Sequence, residues 1–180
     1  MIKILEICKI VVNLLKKGEV IVYPTDTIYG IGGDATFEKV IKKIYEIKQR
    51  PLNKPISVLV SDFEMLEKYA EINEKQMEVL KKSLPGPYTF ILKPKVKLHV
   101  SENNVGFRIP DHWCTLIAKE FGKPITTTSA NIHKQPTPKD IEKIRNNFKD
   151  SISLYIDEGI LEGKPSKVID LTQGLKVIRE

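Results

Sequence analysis

Apolar residues recur at Ile4, Cys8, Val11, Val12 and Leu15, the spacing of one helical face over residues 2–17, and Gly18 supplies a stop. Glu19 to Tyr23 predicts a strand that leads into a turn-rich segment from Pro24 to Gly33. Val40, Ile44 and Ile47 mark the buried face of a helix over about 36–48, which Pro51 halts. Ile56 to Val60 reads as a buried strand, and helices near 62–69 and 73–83 precede Pro85-Gly86-Pro87. Strands are expected at 88–92 and 105–109, a helix at 112–121 and a further strand at 124–128. Thr137-Pro138 predicts an N-cap and a first-turn proline for a helix reaching Asn147. Short strands at 153–156, 167–171 and 175–178 follow. Helices and strands alternate without strict βαβ regularity, so the expectation is an α/β fold: an open, twisted, mixed sheet with flanking helices.

Length and composition narrow the picture. A chain of 180 residues can bury one core, and no Gly/Ser- or Pro-rich linker divides it, so residues 1–180 read as a single domain. Lys3, Glu6, Lys9 and Asn13 interrupt the N-terminal apolar pattern well short of a membrane span. Cys8 and Cys114 are the only cysteines, lie in helical patterns and lack metal-ligand spacing. The expectation is a soluble protein of the reducing cytoplasm with buried thiols. The net charge of +6 favours anionic partners such as nucleotides, pyrophosphate or RNA, but it comes from 25 lysines and only four arginines. Lys42/Lys43 and Lys81/Lys82 read as solvated faces. Arg50, just before Pro51, and Arg108, two residues before Pro110, are more selective, because arginine pairs bidentately with phosphate or carboxylate.

Four loops at strand or helix ends carry polar residues that point to one cavity. The first holds Thr25, Asp26 and Thr27 beside Gly30, Gly32 and Gly33, and matches neither a Walker A nor a dinucleotide fingerprint; a tight turn and an anion cradle both remain open. In the second, Pro51 biases Arg50 toward an extended conformation, so Lys48 and Arg50 can address one polyanion, with Lys54 as a third cation. A helix end decorated with exposed cations is the competing reading. The third places Arg108 inside an apolar strand, which requires either a buried salt bridge or a ligand carboxylate. The fourth is Thr127-Thr128-Ser129-Ala130-Asn131, dense in neutral donors and acceptors, with a hydrogen-bonded turn as its plain alternative. His99, His112 and His133 are not spaced as metal ligands, and no nucleophile elbow is present. Cations, hydroxyls and amides without a covalent nucleophile suit phosphoryl or nucleotidyl transfer.

In order along the chain stand Tyr-Pro-Thr-Asp-Thr-Ile-Tyr-Gly-Ile-Gly at 23–32, Lys-x-Arg at 48–50, Lys-Pro at 54–55 and Pro-Gly-Pro-Tyr-Thr at 85–89. Arg-Ile-Pro at 108–110, Thr-Ser-Ala-Asn at 128–131 and Pro-Ser-Lys-Val-Ile-Asp at 165–170 complete the series. Together these motifs resemble the YrdC family over essentially the whole chain. The resemblance implies a YrdC-like α/β fold with a concave basic face, and synthesis of threonylcarbamoyl-AMP from L-threonine, bicarbonate and ATP with Mg2+. It implies that Thr27, Arg108, Thr127 and Ser166 hold threonine, and that Arg50, Lys54, Asn104, Ser129, Thr137 and Arg179 bind ATP. Lys48, Arg50, Ser129 and Asn131 would be the catalytic set, and no residue is expected to be a metal ligand. The implied partners are a downstream tRNA threonylcarbamoyl-transferase complex, of the KEOPS type in an archaeon, and an RNA contact; no membrane is implied.

Three positions depart from the family pattern: Asn104 stands where relatives have a hydroxyl residue, Lys167 where they have Thr, and Leu59 where longer relatives have His. With the sequence ending after Arg179, the resemblance implies a short form without the extra domain of longer relatives. The main rival is a non-catalytic RNA-binding or ribosome-associated module, which the intact Lys-x-Arg and Ser-x-Asn pairs oppose. A carbamoyl-adenylating activity like that of the related domain in hydrogenase-maturation proteins ranks third.

Overall fold

The N-terminal periodicity forms α1 (Ile2–Lys16) and buries Cys8, Val11 and Leu15. Gly18 ends it at φ +76°, with Gly18 N–H donating to Leu15 and Glu19 N–H to Leu14, each at 3.0 Å. This is the paired closing pattern that a left-handed residue makes available at a helix C-terminus. The computed structural model describes residues 2–101 and 103–180.

The chain then builds two sheets. In the smaller, β1 (Ile21–Tyr23) lies between β2 (Gly30–Gly32), antiparallel, and β9 (Leu154–Tyr155), parallel, and β8 (Thr128–Ser129) pairs with β2. In the larger, the order is β11 (Lys176–Arg179), β10 (Lys167–Asp170), β5 (Tyr88–Pro94), β6 (Val105–Arg108), β3 (Val58–Leu59) and β7 (Ile125–Thr126). Here β10–β5 and β3–β6 are parallel and the remaining pairs antiparallel, so both sheets are mixed. A short β4 (Ala70–Glu71), which the sequence pattern does not reveal, pairs with β5.

Helices cover these sheets. α2 (Glu38–Ile47) buries Val40, Ile41, Ile44 and Tyr45, while α3 (Phe63–Tyr69), α4 (Glu74–Ser83) and α6 (Ile141–Phe148) bury Leu66, Leu80 and Ile144 in the same core as Phe90 and Phe107. α1 and α5 (Thr115–Phe121) enclose a second cluster with Ile21, Tyr23, Leu59 and Cys114. Each fully buried aliphatic or aromatic side chain contributes about 1.5–3 kcal/mol, so these two clusters fix how the sheets meet. Both thiols are free and buried, and burial raises their pKa. Lys42, Lys81 and Lys82 are exposed, as a solvated face requires, whereas Lys43 is half-buried and donates to Glu19 at 3.1 Å.

Three local expectations are corrected. Residues 124–128 do not form one strand: β7 belongs to the larger sheet and β8 to the smaller, and Thr127 between them donates its N–H to the Ser57 carbonyl at 2.8 Å. The segment 24–33 contains the strand β2, and Gly30, Gly32 and Gly33 all have negative φ. A Cβ at Gly32 would sit 2.6 Å from the Tyr23 ring, and one at Gly33 2.5 Å from Val40. Gly32 and Gly33 therefore admit close packing of a ring and a helix, while Gly30 lines the cavity described below. Finally, α6 is capped by Asp140, whose carboxylate accepts the Lys143 N–H at 2.9 Å, so Thr137 precedes the helix instead of capping it.

Candidate active site

Where the two sheets meet, Tyr23 crosses from β1 to the larger sheet, its buried hydroxyl donating to the Thr126 carbonyl at 2.9 Å. Beside this junction opens a cavity of about 440 Å3. Its floor is one face of the larger sheet, since side chains two apart on a strand point the same way. Arg108 and Gly106 come from β6, Thr89 and Ile91 from β5, and Val168 from β10, with Ser57 just before β3.

Arg108 is 5% exposed. Its Nη2 donates to Asp26 Oδ1 at 2.7 Å and to Thr27 Oγ1 at 3.1 Å, and Asp26 also accepts the Asp111 N–H at 3.1 Å. Of the two explanations left open by the sequence, the buried salt bridge is therefore present. It does not saturate the guanidinium: among the described residues, Arg108 Nε is buried without a hydrogen-bond partner. Leaving such a donor unmet costs about 1–3 kcal/mol, while the Arg108 side chain as a whole lines the cavity.

Thr89 Oγ1 and Ser166 Oγ lie 2.7 Å apart, both buried. Arg179 on the edge strand β11 donates through Nε and Nη2 to the Ser166 carbonyl, at 3.1 and 2.6 Å, and lines the cavity. Burial lowers the Arg179 pKa, and the charge of Arg108 lowers it further. Two neighbouring guanidiniums on one wall make an anion-attracting surface.

The opposite end is built around Lys48, which is 1% exposed. Its ammonium donates to the carbonyl of Ser129, to the carbonyl of Asn131 at 2.7 Å and to Asn131 Oδ1 at 3.4 Å. Ser129 Oγ donates to Asn131 Oδ1 at 2.6 Å, and Asn131 Nδ2 donates to the carbonyls of Ile132 at 3.0 Å and Gln135 at 2.6 Å. Desolvation, then the Arg50 charge, lowers the Lys48 pKa to about 7. The three oxygens around it act in the opposite direction by favouring the ammonium. With its three N–H groups occupied, Lys48 ties the 129–131 loop to the end of α2.

Arg50 follows Gln49, which has φ +50°, and its Nε and Nη2 donate to the carbonyls of Lys54 at 3.0 Å and Pro55 at 2.9 Å. These bonds hold the Arg50 guanidinium at the cavity wall. His133 shows how cationic this end is: its pKa is lowered by desolvation and by Arg50, Lys134, Lys48 and Lys54.

The structure thus brings Arg50, Asn104, Arg108, Thr127, Ser129, Thr137, Ser166 and Arg179 to the wall of one cavity. Thr27 accepts from Arg108, and Lys48 and Asn131 act on the wall through Ser129. Lys54 is exposed and contributes its carbonyl to Arg50. Of the departures, Leu59 is fully buried in the core around Tyr23, and Lys167 forms an ion pair with Glu180 at 2.6 Å. Sequence reasoning missed Asp26 as the partner of Arg108, and Ser57 and Thr89 on the floor. Thr89 carried the same signal as Arg108, a lone polar residue in an apolar strand. Among the described residues no group of three or more His, Cys, Asp or Glu side chains is placed to hold a metal, and no helix is long and apolar enough to cross a membrane.

Comparison with known proteins places the fold among solved relatives. The Sua5/YciO/YrdC family model, described as telomere recombination, matches residues 13–180. A Methanocaldococcus jannaschii relative is 38% identical over 91% of this chain and 81% of its own. The Vibrio vulnificus threonylcarbamoyl-AMP synthase is 32% identical over 89% of this chain and 91% of its own. Among solved structures, Pyrococcus abyssi Sua5 complexed with L-threonine superposes with a TM-score of 0.88 at 32% identity, covering 96% of this chain and 53% of that protein. The chain thus spans about half the length of that structure. Escherichia coli YciO superposes with a TM-score of 0.88 at 30% identity, covering 97% of this chain and 89% of YciO. On the match across residues 13–180, the chain belongs to the Sua5/YciO/YrdC family.

Proposed function

We propose that this chain is a threonylcarbamoyl-AMP synthase, a nucleotidyltransferase that prepares the activated group for threonylcarbamoyladenosine modification of tRNA. The observation that carries the reading is Arg108, a guanidinium held by Asp26 on the cavity floor, with Thr127 and Ser166 lining the same cavity. A threonine carboxylate suits that cation, in a family with a solved L-threonine complex. Thr27, Thr127 and Ser166 complete the amino-acid site beside Arg108.

The threonine amine attacks the carbon of bicarbonate, releasing water and giving an N-carboxylate. One oxygen of that carbamate then attacks the α-phosphorus of ATP; the bond to the β-phosphate oxygen breaks and pyrophosphate leaves. Arg50 and Arg179 face the charge that builds on the phosphates, and Ser129, Thr137 and Asn104 supply neutral contacts to the nucleotide. Electrostatic stabilisation by preorganised groups of this kind is commonly the largest catalytic contribution. Lys48 and Asn131 belong to the catalytic set through Ser129, whose hydroxyl and carbonyl they fix. Lys54 adds an exposed cation near Arg50. Mg2+ enters with ATP as part of the substrate and is carried by the phosphates, in keeping with a cavity lined by arginines and hydroxyls rather than carboxylates.

In this reading residues 1–180 act as one domain in the cytoplasm, the cationic rim is the concave basic face, and the labile product passes to a tRNA threonylcarbamoyl-transferase complex, of the KEOPS type in an archaeon. Incubation with ATP, Mg2+, L-threonine and 13C-bicarbonate, followed by mass spectrometry, tests it. The labelled threonylcarbamoyl-AMP mass is expected. Salt-sensitive RNA binding with no such product would transfer support to a non-catalytic RNA-binding module.

A further inference from the structure

Arg50 reaches the cavity from a segment that has little packing of its own. Residues 51–55 are all exposed, Leu52 at 70%. On one side Arg50, Pro55 and Ile56 line the candidate active site, and on the other Tyr45, Leu52 and Val100 line a second cavity of about 520 Å3. A stretch of chain open on both faces gains little from apolar contact, so hydrogen bonds must set its position.

Tyr45, in the last turn of α2, supplies those bonds at both ends of Arg50. Its carbonyl accepts the Arg50 N–H at 2.9 Å, just past Gln49, whose φ of +50° turns the chain out of the helix. Tyr45 is 4% exposed, and its hydroxyl lies 2.9 Å from the Lys54 carbonyl and 3.2 Å from that of Val100. The single hydroxyl proton is shared between two acceptors, with Lys54 the nearer. That same Lys54 carbonyl accepts from Arg50 Nε at 3.0 Å, and the Pro55 carbonyl accepts from Nη2 at 2.9 Å. Among the described residues these bonds engage two of the five guanidinium N–H groups, which leaves three for an anion.

We infer that Tyr45 is a positioning residue for Arg50: from behind the wall its hydroxyl fixes the backbone carbonyls that hold the guanidinium at the cavity, without touching substrate itself. The inference rests on the synthase reading, in which Arg50 faces the phosphates of ATP. A guanidinium stabilises developing charge best when it is fixed in advance, because no reorganisation is then needed as the reaction proceeds.

Tyr45→Phe tests this by keeping the buried ring and removing only the hydroxyl. Both carbonyls retain a donor, Arg50 Nε at Lys54 and the Ile56 N–H at Val100, so the variant should fold. Steady-state pyrophosphate release should show the KM for ATP raised about 3- to 10-fold, the loss of one ordinary hydrogen bond, with the KM for threonine unchanged. In an Arg50→Ala background the same change should have less than about a 2-fold effect, because the two residues act as a unit. NMR of the arginine Nε–H groups gives a readout independent of turnover. With four arginines in the chain the signals are separable, and in Tyr45→Phe that of Arg50 should exchange with solvent faster while that of Arg108 stays as in wild type. An unchanged ATP KM together with unchanged Arg50 Nε–H exchange overturns the inference. So does a rise in both KM values that persists in the Arg50→Ala background, which marks a general loosening of the fold. Wild type that releases no pyrophosphate would instead remove the synthase reading, and the Arg50 signal alone would then decide whether Tyr45 holds it.

Discussion

Two buried cations sit at opposite ends of the cavity, and the sequence presents them alike, each in a short motif before a proline. Arg108 is balanced by a carboxylate, Asp26, and keeps a donor unmet. Lys48 has no carboxylate among its contacts and meets its needs with oxygens of Ser129 and Asn131. The difference separates two kinds of work. A cation that lines the cavity is placed to meet a ligand, whereas a cation whose donors are all engaged behind the wall is part of the frame that shapes it.

The sharpest way to break the comparison is to remove the counter-ion at one end. Asp26→Ala leaves the Arg108 guanidinium buried and uncompensated, and should lower unfolding free energy by about 3–5 kcal/mol in a denaturant titration. Asp26→Ala combined with Arg108→Met should recover much of that loss, because the uncompensated charge is then gone.

Next in size, Arg50→Ala should reduce kcat/KM for ATP by an amount equivalent to about 1.5–3 kcal/mol, the range for hydrogen bonds to a charged group. Steady-state pyrophosphate release reads this directly, and wild-type turnover would take Arg50 out of the site.

The framing role of Lys48 has a pH signature. Its folded pKa, about 7, lies below its unfolded value of 10.5. Between those values the unfolded chain binds more protons, so this residue makes stability rise with pH across the window and gives its least below about pH 7. The slope approaches about 1.4 kcal/mol per pH unit at most, the carbonyl contacts reducing it. Lys48→Met should abolish that rise in pH-resolved denaturant titrations, and should lower kcat with little change in the KM for threonine, since the ammonium is engaged by Ser129 and Asn131.

The smallest effect separates two neighbours near the cationic end. Asp140→Ala removes the α6 cap and should cost about 1 kcal/mol, while Thr137→Ala should leave stability within about 0.5 kcal/mol and act on ATP affinity. Thermal unfolding of the two variants side by side checks the assignment.

These contrasts also mark how far the sequence could be read. Long periodic segments such as α1 and α2 were legible because one apolar face repeats at helical spacing. The gathering of Arg50, Arg108 and Ser129 at one cavity was expected from polar loops at strand and helix ends, and that of Arg179 from the family resemblance alone. What escaped depends on contacts distant in sequence. Nothing local says that Thr127 must fall between two sheets, that Gly32 is small because the Tyr23 ring lies on it, or that Asp26 faces Arg108. The capping of α6 was missed for a local reason: Thr137-Pro138 and Asp140 are both good starts, and the packing of Ile141 and Ile144 selects the second. Lys48 was legible as a site residue, but its saturation by backbone carbonyls was not, since backbone acceptors leave no trace in a sequence.

The most direct measurement is pyrophosphate release from ATP by the purified chain with L-threonine, bicarbonate and Mg2+ omitted one at a time. Release that requires all three is the predicted result. Release that persists without threonine, or none under any combination, would contradict the account.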